Sequence, residues 1–360
     1  MKRAPIEHPQ KFNVTVVIVS AKSLMDLQMA FKRLFGTGVL LVRTAAQLIP
    51  PLTYDLHKGD CGRVAAIGGC EEYTGAPYFV ASTALRLGAD IAHVICEKDA
   101  ASVIKGYSPD IIVYPYLRST VNKQDMELGE ISQRVGRVLD KMHAVSIGSG
   151  LGNDDNIRES VGRVIVATRE RGIPMVLDAD SLALVGRDPD LVRGYQNAVL
   201  TPNAPEFARL CDSLGISKED AKSEHAAQLV AEKLGGVTIV KKGKSDVITN
   251  GKTTFICEEL SGLRRCGGQG DILSGAIATF LAWGHKYKKV RWKHTGGEVD
   301  FADIPMLAAY SACLVARHAS FLAFDECGRA TQSTSILDQI DIAFDNKFDE
   351  VLKAVRPPKK

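Results

Sequence analysis

The sequence predicts an α/β fold in three layers, a mostly parallel central sheet with helices over both faces. Two observations carry this. From about residue 60 onward, short apolar runs alternate with longer amphipathic ones, the rhythm of strand, helix, strand. The helical runs are also long enough to carry the chain back across the sheet, which gives parallel neighbours joined by right-handed crossovers. No Pro-, Ser- or Gly-rich linker divides the region, so residues 50–355 read as one domain.

The elements follow in order. Arg63–Ile67 is the first strand and Ala76–Leu87 the helix after it. Ile91–Cys96 and Ile111–Tyr114 are short strands rich in branched residues. Met126–Met142 has helical spacing and leads into the strand Ala144–Ile147. The amphipathic stretch Ile157–Arg171 precedes the strands Pro174–Leu177 and Ala198–Thr201. Glu206–Leu214 and Glu224–Leu234 are helices, and Val237–Lys241, Val247–Thr249 and Thr253–Cys257 are strands closing one side. Helices over 271–283, 303–323 and 334–354 complete the chain, with Gly284 as the stop signal of the first. The basic stretch 285–300 predicts a solvated loop.

Ligands of open parallel sheets bind beyond the carboxyl ends of the strands, and the unusual motifs fall there. SIGSGLG follows the strand 144–147, DAD follows 174–177, TPNAPEF follows 198–201, and KKGKSD follows 237–241. Each has a plain structural explanation as well. Asn203 is a preferred N-cap that Glu206 completes as a capping box, with Pro205 in the first turn, or the pair could face hydrated magnesium and phosphates. Asp178 and Asp180 could order metal-bound waters, or Asp180 could cap the next helix. Lys242, Lys244 and Asp246 could frame a nucleotide or open a charged hairpin.

The most pointed stretch is SGLRRCGGQGDILSG, residues 261–275. Gly267, Gly268 and Gly270 permit a sharp turn and close approach to a ligand. Ile272, Leu273, Ala276, Ile277 and Phe280 then recur at helical spacing, so the turn opens a helix N-terminus that favours anions. Arg264 and Arg265 add positive charge, and Asp271 is placed to take a proton. That is equipment for phosphoryl transfer, or else a glycine-rich turn with an ordinary first-turn acid.

Two lookalikes fail. GSGLGN at 148–153 has Asn153 where the dinucleotide fingerprint needs glycine, and it follows a middle strand. GKS at 243–245 lacks the upstream glycine of a Walker loop, having Thr238 there. What remains at 148–152 is a tight turn or a close-approach turn against a ligand.

The 360 residues are 45% hydrophobic with a formal net charge of +3, which gives no nucleic-acid or membrane footprint. Eight scattered cysteines without C-x-x-C spacing fit reduced core thiols of an intracellular protein and argue against structural zinc. Residues 1–45 differ from the rest: Lys2, Arg3, Lys11, Lys22, Lys32, Arg33 and Arg43 face only Glu7 and Asp26. The apolar patches there are too short for a bilayer, which needs about 20 residues. Such a leader fits a transit segment, hence a mitochondrial address, or an extension of a cytoplasmic protein. The expectation is that it addresses the chain and does not help it fold.

In this order, YTGAPYFVA (73–81), GSGLG (148–152), DADSL (178–182), LTPNAPEFARL (200–210), KKGKSD (241–246) and RRCGGQGD (264–271) resemble the ATP-dependent NAD(P)H-hydrate dehydratases of the ribokinase-like superfamily. The resemblance covers about residues 55–350 and is to the stand-alone eukaryotic type. It implies a lyase that uses ATP to dehydrate the S form of hydrated NADH or NADPH, with Mg²⁺, a separate epimerase as functional partner and a possible homo-oligomer. It implies Asp271 as base, with the N–H groups of Gly268, Gln269 and Gly270 as oxyanion donors. Ala76, Gly150, Asn203, Ala204, Pro205, Glu206, Phe207, Ala208, Arg209 and Asp271 would lie against the hydrated dinucleotide. Lys242, Gly243, Lys244, Ser245 and Asp246 would lie against ATP. So would Ser261, Gly262, Leu263, Arg264, Arg265, Cys266 and Gly267, running into Gly268–Gly270. A small-molecule kinase of the same superfamily, acting on a vitamin precursor or sugar hydroxyl, is the alternative; it would stop at a phosphorylated product.

Overall fold

The computed structural model describes residues 14–15, 38, 40–290, 292 and 298–353. Most of the basic leader, the middle of the 285–300 stretch and residue 354 of the last expected helix lie outside them. The strands are β1 (Val14–Thr15), β2 (Arg63–Ile67), β3 (Ile91–Glu97), β4 (Ile111–Leu117), β5 (Ala144–Ile147), β6 (Met175–Leu177), β7 (Ala198–Leu200), β8 (Thr238–Lys241), β9 (Asp246–Thr249) and β10 (Thr254–Cys257). They form one sheet in the order β1-β10-β9-β8-β7-β6-β5-β2-β3-β4. From β8 to β4 every pairing is parallel, whereas β9, β10 and β1 add antiparallel strands at one edge.

Side chains alternate across the sheet as the pleat requires. Val64, Val176, Val199 and Val240 point into one core, beneath α1 (residues 40–46), α2 (Gly75–Leu87), α9 (Gln269–Val290), α10 (Ile304–Cys327), α11 (Ser333–Leu337) and α12 (Ile340–Lys353). Ala65, Val145, Met175, Leu177 and Leu200 point into the other. That face carries α4 (Leu128–Leu139), α5 (Asp155–Glu170), α6 (Asp180–Arg187), α7 (Ala204–Ser213) and α8 (Ala226–Lys233). The predicted three layers are present. One helical span, Phe301–Ala330, is apolar and long enough to cross a membrane, but 67% of that window is buried in the first core. A helix enclosed by protein needs no polar face.

Five expectations change, the first being that the helix expected over 334–354 is two, α11 and α12. The helix α3 (Ala100–Tyr107) is short and was not anticipated. The helix expected over 271–283 runs from Gln269 to Val290, so Gly284 does not stop it. A Cβ at Gly284 would fall 2.3 Å from Ile304 Cγ2; the glycine serves close packing of α9 on α10. Residues 285–290 are therefore helix and not loop, with Tyr287 buried. Lastly, the packed chain begins before residue 50. Leu41, Val42, Ala45, Ala46, Leu48 and Ile49 all belong to the first core. Their spacing, with apolar residues at i, i+1, i+4 and i+5, suits a helix laid on that core.

The same amino-terminal segment grips the far end of α9. Trp283 Nε1 donates to the Cys61 carbonyl at 2.8 Å, and Lys286 Nζ to Asp60 at 3.0 Å. Trp292 Nε1, just beyond the helix, donates to the Gln47 carbonyl at 2.9 Å.

Candidate active site

The carboxyl ends of β5 to β8 and the amino end of α9 converge on one place. Residues 267 and 268 form the turn, and Gly268, at φ +94°, accepts the first helical bond from Ile272 N at 3.0 Å. A Cβ there would meet Ser333 Oγ at 2.8 Å and Phe79 at 3.0 Å, so only glycine fits both the conformation and the space. Asp271 thus lies in the first turn of α9, where the leading N–H groups have no intrahelical acceptor.

Asp271 is half-buried, and its surroundings make it a base suited to neutral pH. Burial first, then the neighbouring Asp178 carboxylate, push its pKa to about 7. The Ser149 hydroxyl and the Lys242 ammonium act in the opposite direction. Asp178 sits at the end of β6, 2% exposed, and accepts from Lys242 Nζ at 2.9 Å and from Ser274 Oγ at 2.7 Å. Burial would raise its pKa, but Lys242's charge and these hydrogen bonds hold it below the usual range. Lys242 is the mirror case. Burial works against its charge, yet Asp178, with Glu206 and Asp271 behind it, keeps the ammonium's pKa above its ordinary value. A base held near neutrality beside a carboxylate held ionised is the separation that assigns acid–base roles.

Ala179, between Asp178 and Asp180, has φ +49°, the one positive-φ non-glycine among the described residues. Such a conformation costs about 1–3 kcal/mol and persists only when its surroundings enforce it. Here it sends the two flanking carboxylates apart. Asp178 turns to α9, while Asp180 accepts from Gly152 N at 3.0 Å. Asp178 is thereby committed to Lys242 and Ser274, whereas Asp180 stays exposed. Gly150, at φ +69°, leaves no room for a side chain because Tyr73 and Ala76 Cβ pack against it. The turn 148–152 and the start of α2 are thereby held together.

Beside this centre opens a cavity of about 720 Å³. Of the residues expected against ATP, it is lined by Lys242, Gly243, Lys244, Asp246, Ser261, Arg265, Cys266, Gln269 and Gly270; Asn203 also reaches it. Others of the expected set point elsewhere. Leu263 is 82% exposed, and Arg264 donates through Nε to the Thr331 carbonyl at 3.1 Å. Only one of the two expected arginines therefore faces the cavity. Phe207 is buried in the second core under Lys241, whose ammonium lies 4.7 Å from its ring. Asn203 and Glu206 do form the capping box: Asn203 Oδ1 accepts from Glu206 N at 3.0 Å, and Glu206 Oε2 from Asn203 N at 2.8 Å.

The family model described as NAD(P)H-hydrate dehydratase matches residues 64–341, which takes in the strands β2 to β10, the turn at 268 and Asp271. The chain belongs to that family. Membership makes it a dehydratase, a lyase acting on a hydrated nicotinamide dinucleotide. It is 44% identical over 338 residues to an ATP-dependent (S)-NAD(P)H-hydrate dehydratase of Neurospora crassa, covering 88% of this chain and 96% of that one. It is 43% identical over 319 residues to the Schizosaccharomyces pombe protein of the same description, covering 88% and 95%. Among solved structures, the Bacillus subtilis ADP/ATP-dependent NAD(P)H-hydrate dehydratase co-crystallised with ATP and Mg²⁺ superposes with a TM-score of 0.62. It is 20% identical and covers 84% of this chain and 96% of that one, a likeness of fold.

Several cavity residues of this dehydratase carried no sequence signal. Cys313, Ala316, Arg317 and Ser320 come from one face of α10, and Ile336 from α11. The spacing 313, 316, 317, 320 is that of a helix face. In the sequence it merely continues the apolar pattern of a core helix.

Proposed function

We propose that this dehydratase uses ATP to restore the S form of hydrated NADH or NADPH to the dihydronicotinamide, releasing ADP and phosphate. The observation that carries the reading is Asp271, set at the head of α9 with a pKa near 7 and next to a cavity large enough for a nucleotide. ATP would occupy that cavity, with its γ-phosphate toward the first turn of α9. The hydrated dinucleotide would approach over Ala76, Gly150 and the exposed residues of 203–209. Asp271 takes the proton of the C6 hydroxyl as its oxygen attacks the γ-phosphorus, and ADP leaves with the bridging oxygen. The N–H groups of Gln269 and Gly270, with Lys242 close by, meet the charge on the phosphoryl oxygens. Phosphate then departs from C6 with its bonding pair and a proton passes from C5 to solvent, which closes the double bond.

Among the described residues no three His, Cys, Asp or Glu side chains stand together as metal ligands. Asn203 lines the cavity and Glu206 lies near enough to act on Lys242's charge; with one oxygen of each pair held in the capping box, they suit a cation that keeps its waters and leans on phosphates, as Mg²⁺ does. Bound there, Mg²⁺ would neutralise phosphate charge. A separate epimerase that interconverts the two hydrate forms would let all the hydrate reach this enzyme.

The test is ATP with acid-hydrated NADH and the purified protein, following return of the dihydronicotinamide absorbance. Stoichiometric ADP and phosphate are expected. No recovery of absorbance, or accumulation of a phosphorylated hydrate, would overturn the reading.

A further inference from the structure

We propose that Arg317 is a positioning residue for ATP, which shapes the 243–246 turn without itself binding phosphate. The inference rests on the reading that ATP occupies the 720 Å³ cavity.

Arg317 is the first charged residue in α10 after thirteen consecutive uncharged ones, Ile304–Ala316. Its side chain is only 12% exposed, and its ion-pair partner Asp246 only 7%. An isolated buried ion pair rarely repays its desolvation, so stability is a weak reason for placing one at this point of an apolar helix. The hydrogen bonds give a better one. Nε donates to the Glu259 carbonyl at 2.6 Å, and Nη1 to Asp246 Oδ2 at 3.1 Å and the Gly243 carbonyl at 3.4 Å. Nη2 donates to the Lys244 carbonyl. Four of the five guanidinium donors are thus committed to protein acceptors, three of them on one short turn. So occupied, the side chain is poorly equipped to clamp a phosphate.

What those bonds do is orient peptides. In a planar trans peptide the N–H points opposite to the C=O. Drawing the Gly243 and Lys244 carbonyls onto Arg317 turns the N–H groups of Lys244 and Ser245 away from it, and of these Lys244, which lines the cavity, is the donor for a ligand. Asp246 closes the turn from the other side, its Oδ1 accepting from Gly243 N at 3.0 Å. The other end is already fixed, since Lys242 is held by Asp178. The turn is therefore pinned at Asp178 on one side and at α10 on the other. Glu259 is braced in turn, its side chain accepting from Lys347 Nζ at 2.9 Å and lying 3.1 Å from His318 Nδ1. A lysine at 317 could supply the charge to Asp246 but not the fork that holds two carbonyls at once.

The experiment compares Arg317→Ala and Arg317→Lys with the parent in steady-state kinetics, varying ATP and hydrated NADH separately, beside thermal melts and direct titration with a non-hydrolysable ATP analogue. Both variants are expected to raise KM for ATP by about 10–100-fold, the usual effect of removing a group that orients a site's ligands. KM for the hydrate and kcat stay within about threefold, because Arg317 touches neither the acceptor nor the base. Millimolar guanidinium ion should restore part of the ATP affinity of Arg317→Ala. Should Arg317→Ala fail to fold, the Arg317→Lys variant carries the test through the same split between the two KM values. Unchanged ATP affinity in the variants, or equal losses for both substrates with no guanidinium rescue, would overturn the positioning role while leaving the proposed function intact. Failure of the parent itself to bind the ATP analogue would instead overturn the proposed function, and this inference with it.

Discussion

Replacing Asp271 by Asn should damage catalysis and improve stability, and the two effects have one cause. The native fold raises this carboxyl's pKa from 3.8 to about 7, chiefly through burial and then through Asp178. Between those values the folded protein binds a proton that the unfolded chain releases, so the group's contribution to stability falls as pH rises. Three units correspond to a ceiling of about 4 kcal/mol at 1.36 kcal/mol per unit. Asp271 is half-buried, and solvent screening brings a reasonable figure to about 2 kcal/mol. The isosteric Asn never ionises. Asp271→Asn should therefore melt higher than the parent at pH 8, by about 4 °C, with the gain vanishing toward pH 4. Turnover should fall by about 10²–10⁴-fold, the usual cost of a lost general base, while ATP affinity is nearly kept. The assay pairs thermal melts across pH 4–8 with recovery of dihydronicotinamide absorbance. In the parent, kcat/KM should rise with pH through about 7 as the base is unmasked. Parent-like turnover in the variant, or a melting gain independent of pH, would refute the argument.

Three further predictions follow from the same geometry. Asp178→Asn removes a carboxylate that raises Asp271's pKa and leaves Lys242 without its buried partner; the acid limb of kcat/KM should move to lower pH, and stability should drop by about 3–5 kcal/mol. An unmoved limb would deny the electrostatic link. A chain started at Pro50 discards Leu41, Val42, Leu48 and Ile49 from the first core, each worth about 1.5–3 kcal/mol, so its melting temperature should fall by about ten degrees or more; an unchanged melt would show that the segment adds nothing. Thorough chelation should abolish turnover and added Mg²⁺ should restore it, whereas activity that survives would remove the ion from the mechanism.

Much of the fold was legible because its signals are local. The strands 63–67, 144–147 and 254–257 stand out as short apolar runs between turn residues, and the structure places them within a residue of expectation. The capping box at Asn203 is likewise written in four consecutive residues. The failures share a different origin. Gly284 has the local look of a helix stop, and only the position of Ile304, twenty residues on, reveals that it is a contact point. Residues 285–290 read as loop because their charges hide that Tyr287 is turned inward. At the site, Asp271 and its glycines were visible as a motif. The pairing of Lys242 with Asp178, 64 residues apart, and the bonds from Arg317 to a turn more than 70 residues away depend on tertiary placement alone.

The grip of Trp283, Lys286 and Trp292 on residues 47–61 makes α9 a lever as well as a scaffold. At 1.5 Å per residue, the stretch of α9 from Asp271 near its amino end to the gripped Lys286 spans about 22 Å. A rigid tilt of about three degrees about the grip would carry Asp271 roughly 1 Å, enough displacement to cost on the order of 100-fold in rate. Damage at Cys61, Asp60 or Gln47 would then be felt first as slowed chemistry at a distant centre, in a protein whose strands and melting curve still look sound.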